Sequence, residues 1–218
     1  MSVIEVLSYS IYHSPNAYLG IVMAERTLAG LPVVVRRRPI HVPKDRGVRV
    51  ADLVGGREPA RKSSYHREDC ARWAERFGIE LSFVPPDVFE SRVLAWRASP
   101  LAREELPARA FYAAAGTAEQ AALDGALFRA AWVEGEDVND EQVVRRCIRS
   151  VRLDPERILE EAFSGRVSRE LHGALEEFEH WACPGVPTWV VRGERFWGKD
   201  RVDWLADHVR RLAGERAT

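Results

Sequence analysis

The sequence predicts an α/β fold in which a block of helices separates two β-containing ends of the chain. Three observations point to it. A run rich in β-branched residues near the start is followed by a helix and a second such run. The middle of the chain carries apolar residues at helical spacing, and the end returns to two short apolar runs around a glycine-containing turn. The predicted order is therefore βαβ, helices, ββα.

The first three elements form one unit. Residues 3–9 read as a buried strand because they are apolar and partly β-branched. Ser14 is suited to cap the following helix, and Pro15 fits its first position. After Gly30, three consecutive valines predict a second strand. Two strands around one helix predict a right-handed βαβ unit.

Residues 39–64 lack a regular apolar period and are rich in Pro, Gly and charge, so they predict a long loop. Such loops are often functional, which makes this one a candidate lid over a site; a solvated crossover is the alternative. From residue 65 the period becomes helical until Gly78. The sequence then predicts further helices around 119–134, 144–151, 154–162 and 168–181.

The last elements are a hairpin and a helix. Residues 188–191 and 195–197 are apolar runs, and Arg192-Gly193 between them is a hairpin signal. Apolar residues between 202 and 212 predict the final helix. This order is that of a thioredoxin fold with an inserted all-helical domain. We expect residues 1–40 and 184–218 to form the thioredoxin-like domain, and residues 41–183 to form the inserted loop and helices.

The composition excludes several classes of partner. The 218 residues are 46% hydrophobic and 30% charged, which suffices for a core. Because 32 Lys and Arg residues are balanced by 33 Asp and Glu residues, the chain lacks the excess of positive charge that is typical of proteins binding nucleic acid or an anionic membrane. No signal peptide or membrane-length apolar run is visible.

The cysteines and histidines predict neither disulfides nor a metal site. Cys70, Cys147 and Cys183 lie far apart and form no CxxC pair. The six histidines are scattered and lack the spacing of metal ligands. We therefore expect a cytoplasmic protein without a metal.

The turn after the first strand reads Ser14-Pro15-Asn16-Ala17 and precedes a helix whose amino end favours an anion. Redox members of the thioredoxin fold carry CxxC at this place, so Ser14 and Ala17 exclude thiol–disulfide exchange by a sulfur of this turn. The Ser14 hydroxyl can donate a hydrogen bond to a bound thiolate. The alternative is that Ser14 only caps the helix.

Two further features stand at the start and end of the predicted hairpin. Val186-Pro187 fits a cis peptide bond that turns the backbone of Val186 outward to pair with an extended ligand; a trans proline opening an edge strand is the alternative. Lys199-Asp200 precedes the last helix. Asp200 can cap that helix or hold the ammonium group of an amino-acid ligand.

These motifs together resemble one family. The matching segments are 14–20 (SPNAYLG), 62–65 (KSSY), 69–74 (DCARWA) and 185–201 (GVPTWVVRGERFWGKDR). They are similar to 2-hydroxychromene-2-carboxylate isomerases, close relatives of kappa-class glutathione transferases in the DsbA-like branch of the thioredoxin superfamily. The likeness runs through about residues 3–213. Each segment alone is weak evidence for the family, and the resemblance is specific because the segments occur together.

The resemblance implies a glutathione cofactor and a homodimer. It assigns Ser14 to the glutathione sulfur, Val186 before Pro187 to the cysteinyl backbone, and Lys199 with Asp200 to the γ-glutamyl end. The implied reaction interconverts 2-hydroxychromene-2-carboxylate and trans-o-hydroxybenzylidenepyruvate in aromatic catabolism. Reversible thiolate addition would turn a double bond into a single bond and permit rotation, without net redox change.

The sequence departs from the family pattern at positions that bear on the ligand. Asn16 replaces a common aromatic residue, Ala17 replaces a common serine, and the loop segment 55–59 lacks the family's glutathione-contacting asparagine. Candidate substrate-binding residues are Asn16, Lys62, Tyr65 and Trp132. Lys62 and Tyr65 can equally serve packing and ion pairs, and Trp132 can equally belong to the core.

Two other functions remain open from the sequence. A kappa-like glutathione transferase or peroxidase would share the site and differ in its electrophile. A degenerate, non-redox thioredoxin fold that binds a peptide or small acid without catalysis is suggested by the altered turn and the missing asparagine. Glutathione binding separates the two catalytic hypotheses from the last one.

Overall fold

A computed structural model describes residues 3–43 and 57–214, and their side chains apart from those of 57–63. The chain divides into two compact units. One comprises Met1–Ile40 and His172–Thr218 and carries the sheet; the other comprises His41–Leu171 and is helical. The domain limits expected from the sequence, with the insertion ending at residue 183, stay a prediction.

The described elements follow the predicted order. They are β1 (Ile4–Ser10), α1 (Pro15–Leu28), β2 (Val33–Pro39), α2 (Arg57–Phe77), α3 (Pro86–Ala98), α4 (Glu105–Ala113), α5 (Gln120–Trp132), α6 (Glu141–Ser150), α7 (Pro155–Ala162), α8 (Gly165–His180), β3 (Thr188–Val191), β4 (Glu194–Trp197), a 3₁₀ turn (Lys199–Arg201) and α9 (Val202–Gly214).

The sheet has the strand order β2-β1-β3-β4. β1 pairs with β2 in parallel and with β3 antiparallel, and β3 pairs antiparallel with β4. The turn between β3 and β4 has φ of 49° at Arg192 and 86° at Gly193, the left-handed conformation that two-residue hairpins require. The thioredoxin fold with inserted helices and the hairpin are thus confirmed.

A partly buried polar cluster supports the sheet in the same unit. The Tyr9 hydroxyl donates to Oε2 of Glu177 at 3.3 Å, and Nη2 of Arg38 lies 2.7 Å from the same oxygen. Burial, together with the Glu177 carboxylate, raises the pKa of Tyr9. The phenol therefore stays protonated, and the cluster ties β1, β2 and the end of α8 together.

Side-chain caps start α6, α7 and α8, whereas α3, α4 and α5 have none. Asp140 and Asp154 cap α6 and α7, and their carboxylates accept from the second amide of each helix, as the sequence suggested. The predicted start of α8 at Ser168 was wrong. Oγ of Ser164 accepts from the Val167 amide at 3.2 Å, so α8 begins one turn earlier.

Two helices and one helix start differ from the sequence-based expectation. α3 and α4 were not predicted as individual helices; each carries a proline in its first turn, Pro86 and Pro107, where proline is tolerated. α2 begins at Arg57, so residues 57–64 of the predicted loop are helical, with Pro59 again in the first turn. The lid prediction otherwise concerns 44–56, outside the described residues.

Candidate functional site

The sheet register brings the predicted site segments to one edge of the sheet-bearing unit. Tyr9 of β1 lies opposite Thr188 of β3, and Thr188 lies opposite Trp197 of β4. Because both pairings are antiparallel, β1 ends at the edge where β3 begins and β4 ends. The Gly198 amide also donates to the Pro187 carbonyl at 2.9 Å. The segments around Ser14, Pro187 and Lys199 therefore leave the sheet at the same edge.

Ser14 caps α1, and its hydroxyl proton stays available for the second role that the sequence suggested. It is the N-cap of α1, and its Oγ accepts from the Ala17 amide at 3.1 Å. A hydroxyl oxygen that accepts one hydrogen bond still has a proton to donate. Within residues 3–43 and 57–214 this proton has no acceptor. The cap thus fixes Ser14 at the amino end of α1 without using its donor.

Val186 presents its backbone beside Pro187. The peptide bond between them is cis. The Thr188 hydroxyl donates to the Gly185 carbonyl at 2.6 Å, and this hydrogen bond fixes the backbone that leads into β3. Val186 itself is half-buried. Neither its amide nor its carbonyl forms a hydrogen bond within the described part of the chain. Both groups are available to pair with an extended ligand.

Gly20 permits close packing between the elements that carry the site. It was not predicted as a site residue, although it lies in segment 14–20 of the family resemblance. A Cβ placed on Gly20 would lie 2.9 Å from both Pro187 Cγ and Trp189 Cη2, and 3.4 Å from Lys199 Cα. Glycine therefore lets α1 approach β3 and the 3₁₀ turn directly. The sequence signal was a glycine inside an otherwise regular helix, where it costs about 1 kcal/mol relative to alanine.

Asn16 and Lys199 meet in one hydrogen bond. Nζ of Lys199 donates to Oδ1 of Asn16 at 2.8 Å. Lys199 is only 7% exposed, which is unusual for lysine. The structure thus joins a predicted cofactor-binding residue with a predicted substrate-binding residue.

Asp200 is exposed and does not cap a helix. Its carboxylate lies 2.8 Å from the Arg201 guanidinium, which in turn lies over the Trp204 ring at 4.7 Å. Gly198 is the residue before the 3₁₀ turn, and no side chain caps that turn. The capping alternative is therefore wrong, and the carboxylate stays accessible to an ammonium group that competes with Arg201.

The other three predicted binding residues belong to the helical unit. Lys62 lies in α2, and its side chain is outside the described residues. Tyr65 is 63% exposed on the same helix. Trp132 is half-buried at the end of α5, and its ring packs edge-to-face on Phe83 at 5.6 Å. Packing accounts for the described contact of Trp132, and the ligand-binding roles of Lys62, Tyr65 and Trp132 stay predictions.

The cysteines are poorly suited to be nucleophiles. Cys70 and Cys147 are buried, and Cys183 is half-buried. Burial raises the pKa of the Cys183 thiol to about 11, although the Arg195 charge acts in the opposite direction. Burial likewise raises the pKa of Cys147 to about 11. At neutral pH these thiols are protonated and unreactive.

Alkylation measures this protonation directly. We expect iodoacetamide to modify Cys183 of the native protein at pH 7 about 100-fold or more slowly than a cysteine in an unfolded peptide, whose thiol pKa is about 8.5. The rate should rise steeply as the pH approaches 11. Mass spectrometry of quenched samples locates the label, and the urea-unfolded protein is the control. Fast labelling of Cys183 at pH 7 would contradict the raised pKa.

The described residues contain no group of three or more His, Cys, Asp or Glu side chains arranged to hold a metal ion. No helix in the described ranges has the length and hydropathy needed to cross a membrane.

Comparison with curated proteins supports the resemblance found in the sequence. The chain is 27% identical over 202 residues to a 2-hydroxychromene-2-carboxylate isomerase of Sphingobium xenophagum, covering 92% of this chain and 95% of that protein. It is 26% identical over 220 residues to the protein of the same name from Pseudomonas putida, covering 96% of both.

Solved structures show the same fold. A structure of 2-hydroxychromene-2-carboxylate isomerase superposes with a TM-score of 0.75 at 22% identity, covering 98% of both chains. The cytosolic disulfide reductase DsbM from Pseudomonas aeruginosa, solved with GSH, gives 0.62 at 15% identity, covering 99% of this chain and 100% of that one. The family profile described as DSBA-like thioredoxin domain matches residues 5–210. The chain therefore belongs to the DSBA-like thioredoxin family.

Proposed function

We propose that this chain is a glutathione-dependent isomerase of the 2-hydroxychromene-2-carboxylate type. The observation that carries the proposal is the state of Ser14: it is fixed at the amino end of α1 by its cap, while its hydroxyl proton has no acceptor among the described residues. The names of the two curated relatives support the reaction type. The proposed partners are glutathione and a small aromatic or electrophilic substrate, and a homodimer is the proposed assembly.

The residues of the site fit glutathione by their chemistry. The free backbone groups of Val186 suit the extended cysteinyl residue of a peptide, since a strand-like pair uses one amide and one carbonyl. The Asp200 carboxylate suits the γ-glutamyl ammonium group. The structure of DsbM with GSH is a precedent for glutathione on this fold.

Bound glutathione would supply a thiolate for reversible addition to the conjugated carbon of the substrate, which would make a double bond single and free to rotate until elimination restores it. Ser14 would donate a hydrogen bond from its hydroxyl group to the anionic sulfur, and the amino end of α1 adds a positive field. Val186 orients the ligand backbone. Together these groups lower the thiol pKa and hold the nucleophile in place.

Disulfide chemistry of the kind named for DsbM is not what this site supports. Ser14 and Ala17 stand where redox relatives carry cysteine, and Cys183 is held as a thiol by burial. The kappa-like transferase or peroxidase uses the same glutathione site. Conjugation of an aryl halide without isomerase activity would favour that alternative.

The test of the cofactor is a calorimetric titration of reduced glutathione into the wild-type protein at pH 7, in two buffers of different ionisation enthalpy. We expect binding with a Kd of about 1 mM or lower, accompanied by proton release as the thiol ionises. S-Methylglutathione is the matched control, because it has no thiol proton and should bind without release. Absence of binding by both ligands would overturn the proposal and favour the noncatalytic alternative.

A further inference from the structure

Trp197 places the nitrogen of its indole ring against Gly185, the residue that precedes Val186. It is the last residue of β4 and pairs with Thr188 of β3 across the sheet. A Cβ placed on Gly185 would lie 3.1 Å from Nε1 of Trp197, and 3.5 and 3.6 Å from the ring carbons Cε2 and Cζ2. The missing side chain of Gly185 therefore lets the ring edge that carries the N–H group lie close to the backbone next to Val186.

The indole N–H group of Trp197 is a donor without an acceptor. An indole nitrogen can only donate, so it needs an oxygen or another acceptor opposite it. In the part of the chain that the structure describes, no group accepts from Nε1 of Trp197. The nearby Gly185 carbonyl accepts from the Thr188 hydroxyl at 2.6 Å. Trp197 is 52% exposed, so a ligand can reach its ring from solvent.

The donor of Trp197 lies one residue away from the free backbone groups of Val186. Those two backbone groups suit one residue of an extended ligand, the cysteinyl residue in the case of glutathione. On each side of that residue glutathione carries a residue with a carboxylate, the γ-glutamyl residue and the glycyl residue. A hydrogen bond to an ionised acceptor is about twice as strong as one between neutral groups. A carboxylate is therefore the ligand group that this donor fits best.

We propose that the indole N–H group of Trp197 donates a hydrogen bond to a carboxylate of the bound glutathione. The inference rests on the proposed function and deepens it, because it adds a ligand-binding residue to Ser14, Val186 and Asp200. The γ-glutamyl and the glycyl carboxylate are the two acceptors that glutathione offers, and ligand analogues that lack one of them distinguish the two.

The test is an NMR titration of isotope-labelled wild type and Trp197→Phe with three thiol ligands. Phenylalanine keeps an aromatic ring against Gly185 but has no N–H donor. The ligands are glutathione, γ-aminobutyryl-cysteinylglycine, which lacks the γ-glutamyl carboxylate, and γ-glutamylcysteine ethylamide, which lacks the glycyl carboxylate. We expect Trp197→Phe to raise the Kd of glutathione about 10-fold, the size expected for one hydrogen bond to a charged group. One analogue should bind both proteins equally well, and the carboxylate that it lacks is the acceptor.

The indole resonance of Trp197 provides a readout that packing of the ring does not reproduce. The chain has seven tryptophans, and the indole N–H signal missing from Trp197→Phe identifies that of Trp197. Glutathione should shift this signal downfield, and the analogue without the acceptor should not. Trp204→Phe is the matched control, because it removes another exposed indole, from α9. We expect this variant to bind all three ligands as wild type does.

The outcomes separate this inference from the proposed function. A wild-type protein that binds none of the three ligands overturns the proposed function and this inference with it. Glutathione binding that Trp197→Phe leaves unchanged, or an equal weakening for glutathione and both analogues, overturns only the inference. An equal weakening by Trp204→Phe has the same meaning. A wild-type protein in which no indole signal distinguishes the three ligands also overturns the inference, whether or not Trp197→Phe folds.

Discussion

Replacing Ser14 by alanine is expected to lower kcat/KM for glutathione-dependent isomerisation by about 100-fold or more. The substitution removes the hydroxyl that we propose donates to the sulfur, and loss of a single preorganised donor to an anion costs about that much. The thiol pKa of bound glutathione should rise in the same variant. Steady-state kinetics at saturating glutathione and the thiolate absorbance measure the two effects.

The same substitution also removes the cap of α1, so its effect on stability needs a matched control. Loss of an N-cap side chain costs about 1 kcal/mol. Asp154→Ala removes an equivalent cap from α7 in the helical unit, where the carboxylate accepts from the Glu156 amide. We expect both variants to lose similar stability in urea unfolding and only Ser14→Ala to lose activity. Equal activity of Ser14→Ala and wild type would contradict the assigned role of Ser14.

Gly20→Ala is expected to destabilise the protein by about 1–3 kcal/mol and to weaken glutathione binding. The added methyl group would meet Pro187 Cγ and Trp189 Cη2 at 2.9 Å, a distance that no relaxed Cβ contact allows. Because the obstructing atoms belong to a proline ring and a fully buried indole, α1 itself has to move. This movement displaces Ser14 relative to Val186.

Gly125→Ala is the control for this substitution. Gly125 lies inside α5, is exposed, and a Cβ placed on it would have no other atom within 4 Å. Alanine is the better helix former by about 1 kcal/mol, so we expect a small gain of stability and unchanged glutathione binding. Urea unfolding and calorimetric titration compare the two variants. A stable Gly20→Ala protein that binds glutathione as wild type does would contradict the close approach of α1.

Local signals were sufficient for the order of elements. In three short stretches the residue types themselves indicate the backbone conformation. These stretches are the β-branched run of β1, the Ser14-Pro15 start of α1 and the Arg192-Gly193 turn. The Pro, Gly and charge of residues 39–64 predicted a loop, whereas Pro59 lies in the first turn of α2, where proline is tolerated. The early start of α2 was missed for this reason.

The site was predictable as a set of segments but not as a set of contacts. The resemblance identified Ser14, Val186 and Asp200, and the sheet register places their segments at one edge. The bond between Asn16 and Lys199 joins residues 183 positions apart in sequence, so no local pattern expresses it. The sequence presented Asn16 as a departure from the family pattern and as a candidate substrate-binding residue, and its bond to Lys199 explains why a polar residue fits there.

Isomerisation by this protein is expected to depend on the thiol of glutathione. The direct measurement is the initial rate of absorbance change of 2-hydroxychromene-2-carboxylate with the wild-type protein, in the presence of reduced glutathione, S-methylglutathione or neither. We expect a rate that saturates with reduced glutathione and falls to the uncatalysed value in the other two samples. A protein-dependent rate that is the same in all three would contradict the proposed function.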